Sequence, residues 1–283
     1  MKVGLVLSGG MAKGAYQLGA LKAIREFLRP EDFACISASS IGVLNGYAFA
    51  TEKLKTAEEL WKNLCQDSES MLISRVLKGK RLQSSIKTVY SPSDAIIPSF
   101  FVSLLNINRM SLVYYDIQQS ESLPLLLQAS VAMPVYNRAV VVDGESYFDG
   151  AMVDNIPTRP LLERLNEIDY IICIYFDSTI YTFENPEFDK KVIKLSFPTE
   201  KLVMDSVTFK KSAMALMIEE GYEKSLRLLR AYFCNGISDI DYILSCSELL
   251  HNQTKNPKLR ISGDFLVSNL NRVAGKLMKK RII

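Results

Sequence analysis

Twice in its first 50 residues the chain runs from a short apolar stretch, through a cluster of small residues, into a longer apolar stretch of helical length. Residues 2–7 lead through Ser8-Gly9-Gly10-Met11-Ala12-Lys13-Gly14 into 15–28, which stops before Pro30. Residues 33–37 lead through Ala38-Ser39-Ser40 into 41–50. A β-turn-α-β-turn-α order predicts a parallel sheet with right-handed crossovers. Strands are further expected at 112–117, 169–176 and 192–197, helices at 56–66 (with the only Trp, Trp61, read as a packing residue) and 121–132. Residues 139–142 and 145–148 flank Asp143-Gly144, a strong hairpin signal. The remainder reads as mainly helical, without repeats, low-complexity segments or an obvious linker.

At 283 residues and 48% apolar, the chain can bury a sizeable core without disulfides or metal. Lys and Arg number 34 against 31 Asp and Glu, too even a balance to suggest a nucleic-acid partner. The five cysteines (35, 65, 173, 234, 246) are odd in number and lack C-x-x-C spacing. A reducing, cytoplasmic setting is expected. Val3–Leu7 is too short for a signal-peptide core, and no uninterrupted apolar run reaches the roughly 18 residues expected of a membrane-spanning helix. The single histidine, His251, excludes most His-rich metal sites and leaves a Ser-His-Asp triad one possible imidazole. It lies in a polar stretch with no strand before it, and a catalytic role is not expected of it.

Three constellations carry chemistry. In the Gly-rich turn at 8–14, small residues allow close backbone approach, and N–H groups at a helix start can hold an anion or oxyanion. Gly14 is followed by Ala15-Tyr16, unlike a phosphate loop, and glycines at 9, 10 and 14 do not match G-x-G-x-x-G. A tight turn without a ligand remains a reading of this segment alone. In the second, Ser40 has Ala38 two before and Gly42 two after, as a strained nucleophile elbow requires; Ser39 has Ser37 and the bulky Ile41. A helix-capping serine is the competing reading. The third is Tyr147-Phe148-Asp149-Gly150-Ala151, where Asp149 ends a hairpin strand and can face a cleft. Turn chemistry competes there too.

Together these segments resemble the patatin-like phospholipase family, which pairs a Gly-rich oxyanion loop with a G-x-S-x-G elbow and a later Asp-Gly-Gly or Asp-Gly-Ala. Ala129-Ser-Val-Ala-Met-Pro134 and Val153-Asp-Asn-Ile-Pro157 are also similar to the family. Met11 stands where a third glycine is usual, Lys13 replaces the common Arg, and Ala38 replaces Gly. The resemblance covers 2–175; 176–283 is expected to complete the same single domain, 1–283, with mainly helical structure. It implies a three-layer α/β sandwich with a mainly parallel central sheet. It implies a lipid acyl hydrolase, of phospholipase A or lysophospholipase type, with a Ser40–Asp149 dyad. Gly9, Gly10 and Met11 would form the oxyanion hole, and Lys13 and Gly14 would meet substrate. No cofactor or metal is implied. The partner is a phospholipid or lysophospholipid, with peripheral contact at a membrane surface. Acyl transfer to an alcohol uses the same acyl-enzyme, and a regulated effector with little turnover would keep the same fold.

Two further expectations concern lipid contact. Residues 92–105 are almost uncharged and carry Phe100 and Phe101, which are expected to line or cover the acyl site; a core-packing insertion is the alternative. Leu266, Leu270, Val273 and Leu277 mark one face of a C-terminal helix, and Arg272, Lys276, Lys279, Lys280 and Arg281 give 265–283 a charge of +5. Such a helix can lie on an anionic membrane or pack on the domain with a solvated edge.

Overall fold

A computed structural model describes residues 1–63, 70–72, 86–118, 120–134, 136–177, 181–197 and 208–255. The chain forms β1 (Val3–Leu7), α1 (Gly14–Ile24), β2 (Phe33–Ala38), α2 (Ile41–Ala50), α3 (Leu54–Asn63), β3 (Ser70–Leu72), β4 (Ser99–Asn106), β5 (Ser111–Asp116), α4 (Leu123–Ala129), β6 (Val140–Val142), β7 (Glu145–Asp149), α5 (Arg159–Leu162), β8 (Tyr170–Phe176), α6 (Pro186–Lys190), β9 (Val192–Phe197), β10 (Thr208–Lys210), α7 (Lys211–Tyr232) and α8 (Ile240–Lys255). The expected strands and helices all occur, with ends moved by a few residues. The segment 265–283 lies outside the described residues.

One sheet carries most strands in the order β6-β7-β4-β2-β1-β8-β9, with β5 on the other side of β4. The β4-β2-β1-β8-β9 run is parallel, and β5, β6 and β7 are antiparallel additions. β3 and β10 pair separately. Along the central strands successive side chains enter two different cores. Leu5, Leu7, Ile36, Ile172 and Ile174 join one cluster with residues of α1, α2 and α7. Val6, Cys35, Ile171, Cys173 and Tyr175 join the other, with Leu161 of α5 and Phe188 of α6. The result is a three-layer α/β sandwich. Strands buried on both faces show as continuous apolar runs, as β1 does.

The second half of the segment expected to cover an acyl site is instead sheet. Residues 99–106 form β4, whose Phe100, Val102 and Leu104 point into the first core while Phe101 faces the second, with the Arg164 guanidinium 5.1 Å from its ring centre. Phe100 is fully buried. This is a correction, and its cause is that apolar residues stand on both faces of the strand, Phe100, Val102 and Leu104 on one and the half-buried Phe101 and Leu105 on the other, so no clean period of two shows.

Two details fix the frame around the turns. The β6–β7 hairpin turns at Asp143 (φ 51°) and Gly144 (φ 83°), the left-handed pair of a type I′ turn. α7 crosses α1 backbone to backbone: a Cβ on Gly19 would lie 2.0 Å from the Ile218 carbonyl oxygen, and one on Gly221 would lie 2.2 Å from that of Tyr16. Helix α7 is thereby packed directly on the helix that follows the Gly-rich turn.

Candidate active site

β1, β2 and β4 are parallel, so the turns after β1 and β2 open at the same edge of the sheet. The second turn is an elbow. Ser40 sits at φ 53°, ψ −131°, a region that costs a residue with a side chain ~1–3 kcal/mol. Backbone holds it there: Ser39 N–H donates to Leu7 O at 3.0 Å, and Gly42 N–H to Ser39 O at 2.9 Å. A Cβ on Gly42 would lie 2.7 Å from Leu7 O, so only glycine fits. The Ser40 hydroxyl makes no capping bond to α2. Ser39 is fully buried and its hydroxyl is engaged, donating to Asp154 O at 3.1 Å and accepting from Ser103 at 2.8 Å. Ser40 is the partly exposed serine of the pair.

Asp149 ends β7, where its N–H donates to Ala132 O at 2.8 Å. That bond gives the Ala129–Pro134 stretch its role: α4 ends at Ala129, and the turn after it anchors the aspartate. The Asp149 carboxyl is fully buried. Its Oδ1 accepts the Ala151 N–H at 2.9 Å, and Oδ2 has no partner of ordinary hydrogen-bond geometry. Burial pushes its pKa up to about 7, against the Ser40 hydroxyl and the Ala151 N–H, which both favour the carboxylate. The Ser40 hydroxyl is thus near enough to Asp149 to favour its charged form, with no hydrogen bond of ordinary geometry between the two. Gly150 lies against β4, where an added Cβ would meet the Ser103 carbonyl at 2.6 Å.

The Gly-rich turn lies beside them. Met11 is at φ 52°, in the left-handed region that favours glycine. Gly9 N–H donates to Asn155 O at 3.2 Å, and the Asn155 amide donates back to Gly9 O at 3.3 Å. Gly9 is thus engaged within the fold, which corrects its expected place among the oxyanion donors. From the Gly10 and Met11 N–H groups no hydrogen bond is present among the described residues. Beneath the turn runs a buried polar brace. Gln17 donates to Ser8 O at 3.0 Å, Asn45 to Gly14 O at 2.8 Å and to Gln17 at 3.0 Å, and Trp61 to Asn45 at 3.1 Å. Trp61 also packs on Gly14. Gln17, Asn45, Ser103 and Asn155 were not singled out from sequence. Gln17 and Asn45 carried a signal, as lone amides on otherwise apolar helices.

Lys13 is half-buried, with its ammonium 5.9 Å from the Phe176 ring centre. Burial lowers its pKa, and Asp177 partly offsets this. A small apolar cavity of about 50 Å³ lies between α2 and α3, lined by Ile41, Leu44, Leu60, Trp61, Val89 and Leu127 among others. Ile41 directly follows Ser40. No group of three His, Cys, Asp or Glu side chains is placed for a metal among the described residues. His251 lies on α8, and its side chain is outside what the structure describes. Among the described residues no helix is long and apolar enough to cross a membrane.

A family model described as patatin-like phospholipase matches residues 5–162. An uncharacterized NTE family protein of Mycobacterium bovis is 25% identical over 169 residues, 56% of this chain and 45% of that protein. Lysophospholipase NTE1 of Cryptococcus neoformans is 28% identical over 177 residues, 58% of this chain and 10% of that protein. The chain spans less than half the length of these curated relatives. Among solved structures, VipD from Legionella pneumophila aligns with a TM-score of 0.46 at 14% identity, covering 81% of this chain and 66% of that one.

Proposed function

The chain belongs to the patatin-like phospholipase family, and from that premise we propose that it is a serine lipid acyl hydrolase, of phospholipase A or lysophospholipase type, working through Ser40 and Asp149. The observation that carries this reading is a buried carboxylate with a raised pKa beside a strained, uncapped serine.

In the first half-reaction Asp149 takes the Ser40 proton through Oδ2 while Oγ attacks the ester carbonyl carbon. The negative charge that develops on the carbonyl oxygen is received by the Gly10 and Met11 N–H groups. Losing one such donor typically costs roughly 10²–10³ in rate. The tetrahedral intermediate collapses, the C–O bond to the glycerol oxygen breaks, and Asp149 returns the proton to that oxygen. In the second half-reaction Asp149 takes a proton from water, the hydroxide oxygen attacks the acyl carbon, and Ser40 leaves with the proton. The fatty acid is released and the site is restored. A pKa near 7 suits a group that accepts and returns a proton at neutral pH. An alcohol in place of water gives acyl transfer by the same steps.

The Lys13 ammonium beside the turn offers charge to a phosphate headgroup, with Gly14 packed behind it. The described residues and the rest of the chain are read as one domain, which the α1–α7 crossing supports. Its substrate resides in lipid, so it works at a membrane surface, from the cytoplasm.

The test is a fluorophosphonate probe on the wild-type chain, Ser40→Ala and Ser39→Ala. Wild type and Ser39→Ala should label and Ser40→Ala should not. Labelling that persists in Ser40→Ala but vanishes in Ser39→Ala would move the nucleophile.

A further inference from the structure

Ser40 and Asp149 lie on separate pieces of chain, and no covalent connection sets the gap between them. Ser40 follows β2 and Asp149 ends β7, and the two strands pair end to end along one edge of β4, whose other edge is taken by β5. The register places Ala38 opposite Val102 and Asp149 opposite Leu104. Ser103 therefore stands level with the gap, and it touches both sides. Its hydroxyl meets Ser39 Oγ at 2.8 Å, and its carbonyl abuts Gly150.

The direction of these bonds is forced. Asp154 O can only accept, so Ser39 donates its one proton there, at 3.1 Å. Ser39 Oγ must then accept from Ser103. Asp154 lies on the loop that leaves Asp149, and its carboxylate accepts the Tyr114 hydroxyl. Tyr114 is the residue opposite Ser103 across the β4–β5 ladder. The chain of contacts closes on itself, from β5 to the aspartate loop, to the elbow, to β4 and back to β5. Ser39 and Ser103 are both fully buried, so no water competes for these bonds.

We propose that Ser39, Ser103 and Asp154 form a positioning clamp that sets the separation of the Ser40 hydroxyl and the Asp149 carboxylate. It rests on the reading of those two as the working pair. None of the three is a catalytic residue: they act by holding the elbow against the aspartate loop. Near-attack geometry is sensitive to small displacements, and a shift of ~1 Å can cost about 10²-fold in rate.

The experiment compares wild type, Ser39→Ala, Ser103→Ala and the double variant in the full chain. It measures hydrolysis of 4-nitrophenyl butyrate and the pH dependence of fluorophosphonate labelling. Each single variant should lose roughly 10- to 10²-fold in kcat with KM within about threefold. The double variant should be no worse than the poorer single one, because both remove the same linkage. The acid limb of labelling should move to higher pH, because a displaced Ser40 hydroxyl no longer favours the Asp149 carboxylate. A loss of packing alone would leave that limb in place. If wild type labels and the single variants match it in kcat and acid limb, the clamp is overturned and the catalytic pair stands. If wild type neither labels nor hydrolyses, the catalytic pair falls and the clamp's role falls with it. Should the serine variants fail to fold, Tyr114→Phe at the half-buried end reads the same linkage. A few-fold loss in kcat at constant KM supports the clamp, and an unchanged kcat overturns it.

Discussion

The two strand-to-helix turns of the site share one oddity and differ in how they sustain it. Each holds a non-glycine residue in the left-handed region, Met11 at φ 52° and Ser40 at φ 53°. The elbow turns within Ser39 and Ser40 and is enclosed by backbone, with Leu7 O against both Ser39 N–H and Gly42. The Gly-rich turn is longer and is braced by side chains: Gln17 and Asn45 from below, Asn155 and Phe176 from the side. The difference follows what each turn presents. The elbow must present a side chain, so its strain is inseparable from Ser40. At Met11 the longer turn presents an N–H group, which glycine would supply there without strain. Strain in the first is part of the chemistry, and in the second it is removable.

The largest effect should come from the elbow. Ser40→Ala should abolish probe labelling and ester turnover while the fold persists. Asp149→Asn should lower turnover by roughly 10²-fold or more, within the range of general-base catalysis. His251→Ala should stay within a few-fold of wild type. A His251→Ala loss as deep as that of Ser40→Ala would replace the dyad with a triad and break the contrast.

The buried carboxylate beside the elbow sets a pH signature that the longer turn lacks. Asp149 titrates near 7 in the fold against an ordinary value of 3.8, so between those values the folded chain holds the extra proton. Stability contributed by this group therefore falls as pH rises through that window, by at most about 1.4 kcal/mol per pH unit. Asp149→Asn does not titrate. Its melting temperature relative to wild type should rise from pH 5 to pH 8, and a constant difference would refute the burial argument. Activity should run the other way, increasing as pH rises through about 7, because the carboxylate is the working base.

Glycine-to-alanine changes sharpen the contrast between backbone and side-chain enclosure. Gly42→Ala drives a methyl group against Leu7 O and should cost roughly 1–3 kcal/mol in denaturant unfolding, with activity lost as the elbow distorts. Gly10→Ala meets the Phe176 ring, which can swing aside, so its cost should be smaller. Equal costs would show that both turns are equally rigid. The smallest effect should be Met11→Gly. Relief of left-handed strain and added freedom in the unfolded chain nearly cancel, so stability should shift by less than about 1 kcal/mol. Labelling should stay within about threefold; a tenfold loss would show that the Met11 side chain serves the site.

Much of this was legible in sequence for a local steric reason. Close backbone crossings exclude most side chains, so Ala38 and Gly42 around Ser40, Gly150 after Asp149 and Asp143-Gly144 in the hairpin all mark their turns directly. Continuous apolar runs marked β1, β2 and β8 because parallel strands are buried on both faces. A related effect hid β4: Phe100 to Leu105 carries apolar residues on both faces, so it shows no clean period and resembled an apolar cover. Bonding partners were hidden for a different reason. Gly9 looks like an oxyanion donor until Asn155, 146 residues away, takes its N–H. Ser39 and Ser103 are ordinary serines until the sheet register brings them together. Residue type and spacing determine which backbone shapes a segment can adopt. Which donors stay free, and which carboxylate loses its water, depends on neighbours that only the folded sheet assembles.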